Sequence, residues 1–428
     1  MIPSNLERFP DLHPALDSQS AVAEANRCLF CYDAPCTAAC PTHIDVPRFI
    51  KKIASGNLRG SALTILDANI LGLSCSRVCP VDVLCEGSCV MHRYNKKPIE
   101  IGRLQRYAME QGRGHIACPP AEADALKVAC VGGGPASLSC AAELRRHGAA
   151  VTIFDNRPLP GGLNTYGVAE YKLRPSDSLR EVEMIRAMGV EFRQTEIGGA
   201  MPLAQLEEEF DFIFIGVGLG AMERLGIPGD QLPGVIDALS FIERYKTQLN
   251  FTPGNTVIVI GGGNTAIDAA NAAVRLGAHD VHVFYRRTPS EMPAFPFEYD
   301  RAKIEGVRFH WLAQPVAIVE EEGRAGAVRF LRTRLSEPDG RGRRTAEPIA
   351  DSEYEVACDM VIPALGQSRL TAALQLEMNG TSIAVERPTG RTSNAKYYAG
   401  GDCVNGGREV VDAVADGKRA ALGMVNHG

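Results

Sequence analysis

Eight of the chain's thirteen cysteines lie between residues 28 and 89: Cys28, Cys31, Cys36 and Cys40 in "CLFCYDAPCTAACP", then Cys75, Cys79, Cys85 and Cys89 in "CSRVCPVDVLCEGSC". Thiols this dense ligate metal or pair with one another. A zinc ribbon needs two separated C-x2-C pairs, and here only Cys28 and Cys31 form one. Disulfides belong to oxidising compartments. The opening "MIPSNLERFPDLHPALDSQS" has neither the basic stretch nor the apolar run of a secretory signal. A cytoplasmic location with reduced thiols is therefore expected.

Iron–sulfur ligation fits best. The run C-x2-C-x4-C-x3-C-P is similar to the bacterial ferredoxin run with two extra residues in its middle gap. In two-cluster ferredoxins the cysteine before proline serves the other cluster. Eight thiols could serve two [4Fe–4S] clusters four by four. Cys118, Cys130, Cys140, Cys358 and Cys403 stand apart and read as packing residues, as do His43 and His92 beside the cysteine runs.

The elements that must position these groups divide the 428 residues. Residues 1–120 hold the cysteines and short helical patterns such as "VPRFIKKIASGNLRGSALTIL"; "CPPAEADAL" reads as a linker. "KVACVGGGPASLSCAAELRRHGAAVTIFD" (127–155) is an apolar strand, a glycine turn, an amphipathic helix and a second strand, and "NTVIVIGGGNTAIDAANAAVRLGAHDVHVFY" (255–285) repeats that order. Two such units predict two Rossmann-like dinucleotide-binding folds. The third glycine of the fingerprint is Ser137 in one and Ala266 in the other, both small enough for helix–strand packing.

The second strand of each unit indicates its nucleotide. Asp155 ends the first, where an acid accepts hydrogen bonds from a ribose. The second ends in Arg286 and Arg287, whose guanidinium groups suit a 2′-phosphate. NADP(H) is favoured there, with NAD(H) open. "FIFIGVG" (212–218) and "MVIPALGQ" (360–367) look like points where the chain leaves the first nucleotide domain and returns. The expected class is α/β: a helical di-cluster iron–sulfur domain (1–120), a discontinuous first nucleotide-binding domain (121–218 and 368–428), and an NAD(P) domain (219–367) inserted in it.

Bulk properties narrow the partners. A formal charge of −6 gives no attraction to nucleic acid, and no apolar run approaches a membrane span. Neither nucleotide unit carries a C-x2-C or C-x4-C pair, which argues against a dithiol mechanism.

"PGGLNTYGV", "EYKLRP", "YRRTPSEMPA" and "AGGDCV", in this order around two nucleotide units, resemble the flavin reductase module of glutamate synthase small subunits, which also forms the N-terminal half of dihydropyrimidine dehydrogenase. Val168 and Ala169 stand where that family often has Ile-Pro. The resemblance implies FAD contacts at Gly132, Gly134, Pro135, Ala136, Asp155, Gly162, Leu163 and Lys172. Asp402 would lie near the ribityl and pyrophosphate, and the helix opening near Glu409 would point at the flavin. It further implies nicotinamide-nucleotide contacts around Gly261, Gly263, Asn264, Thr265, Ala266 and Gly366. "NKKPIEIGRLQRYA" (95–108) is similar to the stretch of dihydropyrimidine dehydrogenase in which a glutamine replaces one cysteine. Carried over, Cys28, Cys31, Cys36 and Cys89 hold one cluster, and Cys40, Cys79, Cys85 and Gln105 the other, with Cys75 as the alternative eighth ligand.

A nicotinamide delivers electrons in pairs, a cluster takes them singly, and a flavin can do both. The expected activity is electron input from NAD(P)H through FAD and two clusters to another polypeptide, with no acid–base residue required. "IGRLQRYA" favours an FMN-containing barrel subunit of dihydropyrimidine dehydrogenase as that partner; the alternative is a glutamine-amidotransferase subunit of glutamate synthase. A zinc-and-nucleotide-binding regulator is the non-enzymatic alternative. "GRAGAVRFLRTRLSEPDGRGRRTAEP" (323–348) reads as a hairpin with a basic loop.

Overall fold

The computed structural model describes residues 8–112, 116, 118–122, 124–248, 251–340, 342, 344–368 and 376–427. It divides into two compact units. One is Gly220–Ser368 together with Tyr166–Tyr171 and the residues up to Pro10; the other comprises Asp11–Thr165, Lys172–Leu219 and Arg369–Gly428.

The second of these begins with helices α1 (Ser18–Asn26), α2 (Pro35–Ala38), α3 (Val46–Ala54), α4 (Leu58–Ala68), α5 (Gly72–Val78) and α6 (Ile101–Gln111). Local chemistry starts them well. Asp45 accepts from Arg48 N at 3.1 Å, with Pro47 in the first turn of α3, and Asn57 caps α4 through Gly60 N at 2.9 Å. Phe49, Ile50, Ile53, Leu104 and Tyr107 build a core against which the cysteines pack.

Next come β1 (Lys127–Val131), α7 (Pro135–Arg146), β2 (Ala150–Asp155), α8 (Leu163–Tyr166), α9 (Pro175–Ala187), β3 (Glu191–Gln194), α10 (Leu203–Glu209) and β4 (Phe212–Ile215). The strands "VACV" and "AVTIF" are apolar but for Thr152 because they are buried on both faces of a parallel sheet.

The other unit contains α11 (Ala238–Thr247), β5 (Thr256–Ile260), α12 (Asn264–Arg275), β6 (Asp280–Tyr285), α13 (Pro296–Ile304), β7 (Arg308–Trp311), β8 (Ala313–Glu321), β9 (Arg324–Leu335), β10 (Ala346–Pro348), β11 (Tyr354–Ala357) and β12 (Met360–Pro363). The chain closes with β13 (Met378–Asn379), β14 (Ser382–Ile383), β15 (Tyr397–Ala399), α14 (Asp402–Asn405) and α15 (Val410–His427).

Two parallel sheets carry the nucleotide units, in the orders β15-β4-β1-β2-β3 and β12-β5-β6-β7. In each, the strand before the glycine turn has neighbours on both sides (β2 and β4 for β1, β6 and β12 for β5), so the turn opens at the point where strand order reverses. Helix α7 lies closely against α15: a Cβ on Gly417 would come 2.0 Å from the Ala136 carbonyl, and Ser139 Oγ donates to Val414 O at 2.7 Å.

The segment read as a hairpin does pair antiparallel, Ala346 opposite Leu335. It is also more than a link, since β9 pairs β8 and β11 as well. The resulting antiparallel sheet covers the nucleotide sheet through a core of Ile258, Phe284, Ile318, Val328 and Phe330. Part of its basic loop, residues 341 and 343, lies outside the described residues.

Candidate functional site

The cysteines gather into two nests that interleave in sequence. Burial and then its neighbours Cys31 and Cys89 push the Cys28 thiol up. Burial with Cys28 and Cys89 pushes Cys36 up to about 12. These four thiols therefore form one group. In the other, Cys75 lies within hydrogen-bonding reach of Cys79; that contact, burial, and the proximity of Cys85 and Cys40 hold Cys79 well above the usual thiol range. Cys85 is raised by burial, by Glu86, by Cys40 and by Cys36, so Cys36 of the first nest also neighbours the second. A cavity lined by Cys40, Cys75, Cys79, Cys85 and Gln105 marks the second nest.

Crowded thiols that raise one another's pKa are poor acids alone but become thiolates against iron, whose positive charge removes the repulsion. The donor set thus fits clusters. Among the described residues no three His, Cys, Asp or Glu side chains converge as on a single metal ion.

Helices α5 and α6 position the second nest. Cys75 is on α5, Cys79 caps it, and Gln105 is buried on α6 with Nε2 donating to the Gly72 carbonyl at 2.7 Å. The N-terminus of α5 is held by Glu181 of α9, a residue that no local sequence pattern singles out. Its carboxylate accepts from Leu73 N at 2.8 Å, Ser74 N at 3.2 Å and the Ser74 hydroxyl. Burial still lifts Glu181 to about 7. His43 and His92 are exposed, His92 Nε2 lying 3.1 Å from the Glu86 carbonyl oxygen.

At the first glycine turn Gly132 has φ +94°, and a Cβ there would meet the Gly216 carbonyl at the end of β4, 2.5 Å away. Gly134 precedes Pro135 at the N-terminus of α7 and faces open space. Gly162 (φ +55°) sits over it, its hypothetical Cβ 2.8 Å from Gly134 Cα, and Leu163 follows on the surface. The Asp155 carboxylate accepts from Gly133 N at 2.5 Å and Arg157 N at 2.8 Å, so it braces the turn. Ala136 and Lys172 are buried. The "GGD" turn is braced by Asp416, which the sequence reading missed: its Oδ2 accepts from Gly401 N at 3.0 Å and Asn405 Nδ2 at 3.1 Å. Asp402 opens α14 and accepts from Arg408 N at 3.3 Å, just before Glu409 and α15. Bare backbone amides at a helix N-terminus are the cradle that a pyrophosphate requires.

The second turn repeats this arrangement. A Cβ on Gly261 would come 2.4 Å from the Ala364 carbonyl, close to exposed Gly366. Gly263 opens to solvent; Asn264, Thr265 and Ala266 begin α12, and Asn264 Oδ1 accepts from Phe295 N at 3.0 Å. Arg286 is exposed. Arg287 is half-buried, and its Nε–H is a buried donor without a protein partner. Such a group calls for an anion.

The family model for dihydropyrimidine dehydrogenase domain II, 4Fe-4S cluster, matches residues 5–115, and that for pyridine nucleotide-disulphide oxidoreductases matches residues 126–417. The chain is 36% identical to the glutamate synthase [NADPH] small chain of Escherichia coli, over 98% of this chain and 93% of that one. It is 35% identical to the NAD-dependent dihydropyrimidine dehydrogenase subunit PreT of the same species, over 96% and 95%. Among solved structures, Mycobacterium tuberculosis FprA in complex with NADPH aligns with a TM-score of 0.59 at 20% identity, covering 71% of this chain and 84% of that one, a likeness of fold.

Proposed function

Because the chain belongs to the pyridine nucleotide-disulphide oxidoreductases and carries the 4Fe-4S domain of dihydropyrimidine dehydrogenase, we propose that this NAD(P)H-dependent FAD and iron–sulfur oxidoreductase is the electron-input subunit of a dihydropyrimidine dehydrogenase. It would feed a separate barrel subunit that reduces uracil or thymine. The observation that supports this reading is Gln105, buried beside Cys40, Cys79 and Cys85 in one cavity.

Bound FAD would accept electrons in pairs and release them singly. The protein's part is placement. Amides at the start of α7 and Gly162 would hold the pyrophosphate of FAD, with Gly401 and Asp402 on the side of its ribityl. Gly263, Asn264, Thr265 and Ala266 receive the nicotinamide nucleotide's pyrophosphate, and Arg287, aided by Arg286, takes its 2′-phosphate. Cys28, Cys31, Cys36 and Cys89 hold one [4Fe–4S] cluster; Cys40, Cys79, Cys85 and Gln105 hold the second. No side chain has to shuttle a proton for hydride transfer.

A second reading is the small chain of an NADPH-dependent glutamate synthase. The orphaned Arg287 donor favours it, since the pyrimidine relative is NAD-dependent by name. Anaerobic co-purification from the native cells tests the choice. A barrel subunit, with uracil reduced by NAD(P)H, supports the first reading; a glutamine-amidotransferase subunit overturns it in favour of the second.

A further inference from the structure

Eleven large apolar side chains among the described residues are exposed, and five of them (Val22, Leu29, Tyr32, Val83 and Tyr94) fall within the short cysteine-bearing stretch. Single exposed apolar groups are ordinary, but a concentration of them marks an interaction site. Tyr32 is wholly exposed and, with Leu29 at 53%, flanks Cys31; Tyr94, at 63%, follows Cys89, and Val83 lies between Cys79 and Cys85.

Contacts tie these segments into one neighbourhood. Arg27 Nη2 donates to the Lys97 carbonyl at 2.6 Å, the Glu24 carboxylate accepts from Glu100 N at 2.9 Å, and His92 Nε2 lies 3.1 Å from the Glu86 carbonyl oxygen. Cys28, Cys31 and Cys36 are only half-buried, so the first nest lies just beneath this surface.

The rim is cationic. Residues 92–97, "HRYNKK", are all exposed, which presents Arg93 and Lys96 beside Tyr94, while Lys97 is paired with Glu100. Exposed Lys51 adds its ammonium 4.6 Å from the Phe30 ring centroid. Asp33, Asp45 and Asp82 are exposed acids of the same stretch, and half-buried Glu24 and Glu100 are paired with Arg27 and with Lys97 and Arg103. A second copy of the chain would oppose like charge to like, whereas a partner with carboxylates around an apolar patch complements both features.

We propose that this face is the docking surface for a soluble protein electron acceptor whose redox centre lies beneath an apolar patch rimmed by carboxylates. The proposal rests on the reading above only as far as electron flow from NAD(P)H through FAD to the clusters, not on the barrel partner, and adds where electrons leave and what kind of surface receives them. Each NADPH would reduce two one-electron acceptors, releasing NADP+ and one proton.

The test uses the full chain loaded with FAD and clusters, with NADPH as donor. The probes are an acidic [2Fe–2S] ferredoxin whose potential is no lower than that of NADPH, the basic protein cytochrome c, and ferricyanide. Arg93→Glu/Lys96→Glu should raise the KM for the ferredoxin about tenfold, flatten its salt dependence and lower the KM for cytochrome c. Tyr32→Asp should raise the KM for the ferredoxin, and Ile304→Asp, at an exposed site in the other unit, should not. Iron content and ferricyanide reduction should stay unchanged in every variant.

Unchanged ferredoxin kinetics in both surface variants would overturn the proposal. So would a wild-type chain that reduces ferricyanide but not the ferredoxin, or a Tyr32→Asp variant that only dissociates a homodimer. Loss of the electron-transfer reading itself would look different: a wild-type chain without iron and inactive towards ferricyanide.

Discussion

Gln105 Nε2 donates to the carbonyl oxygen of Gly72 at 2.7 Å, tying α6 to the first residue of the helix that carries Cys75. With the amide nitrogen engaged, the side-chain oxygen is the atom left to bind iron. Gln105→Ala should remove one cluster, seen as loss of about half the iron and of one spectroscopic signal, whereas Cys75→Ala should leave both. Unchanged iron in Gln105→Ala would transfer the eighth ligand to Cys75.

Arg287 offers the second nucleotide turn a buried donor without a protein partner. A charge-assisted bond to phosphate contributes about 2 kcal/mol. Arg287→Ala should therefore raise the KM for NADPH by roughly 10–100-fold and leave the KM for NADH nearly unchanged. Equal losses for both nucleotides would mean that the guanidinium does not read the 2′-phosphate.

Gly162 has φ +55°, and a side chain there would press on Gly134 at the mouth of the first turn. Gly162→Ala should purify with a lowered flavin-to-protein ratio while retaining its iron. A full flavin complement would show that the cradle lies elsewhere.

Glu181 binds its proton more tightly folded than unfolded, because burial lifts it from 4.5 to about 7. Its contribution to stability is therefore complete below pH 4.5 and declines as pH rises through 7. Glu181→Gln retains an oxygen acceptor for Leu73 and offers an N–H to the Ser74 hydroxyl. Its stability relative to wild type should improve between pH 5 and pH 8 by on the order of 2–3 kcal/mol, read from thermal unfolding. A constant difference across that range would refute the shift.

Lys246 shows the opposite sign. Burial lowers it from 10.5 to about 7, and its ammonium donates to the Val168 carbonyl at 2.8 Å. The folded chain binds this proton less tightly, so the contribution is complete above pH 10.5 and is lost as pH falls towards 7. Lys246→Met should flatten the rise in melting temperature between those limits; a parallel rise would contradict the shift.

Much of this was legible in the sequence for a simple reason. Apolar strands ending in glycine turns carry a local signature, so both nucleotide units could be read from "KVACVGGG" and "TVIVIGGG". The hairpin at β9 and β10 was legible too, but not its place in a sheet with β8 and β11, which depends on long-range pairing. The thiol grouping is also tertiary. Cys36 meets Cys89 and Cys40 meets Cys79 because helices pack, and spacing alone cannot separate that from four by four in chain order. Glu181, Asp416 and Lys246 had no local signal at all. A charged residue looks solvated in sequence until distant backbone closes over it.

The six residues Tyr166–Tyr171 group with Gly220–Ser368, although about fifty residues of the other unit intervene. Lys246 reaches the Val168 carbonyl within that segment, and the Tyr171 hydroxyl donates to Asp268 at 2.7 Å. A gene fragment encoding residues 220–368 alone would omit the Val168 carbonyl that Lys246 bonds and the Tyr171 hydroxyl that Asp268 bonds. That unit is therefore not closed on a single stretch of chain, and transplanting it would require carrying residues 166–171 along with 220–368.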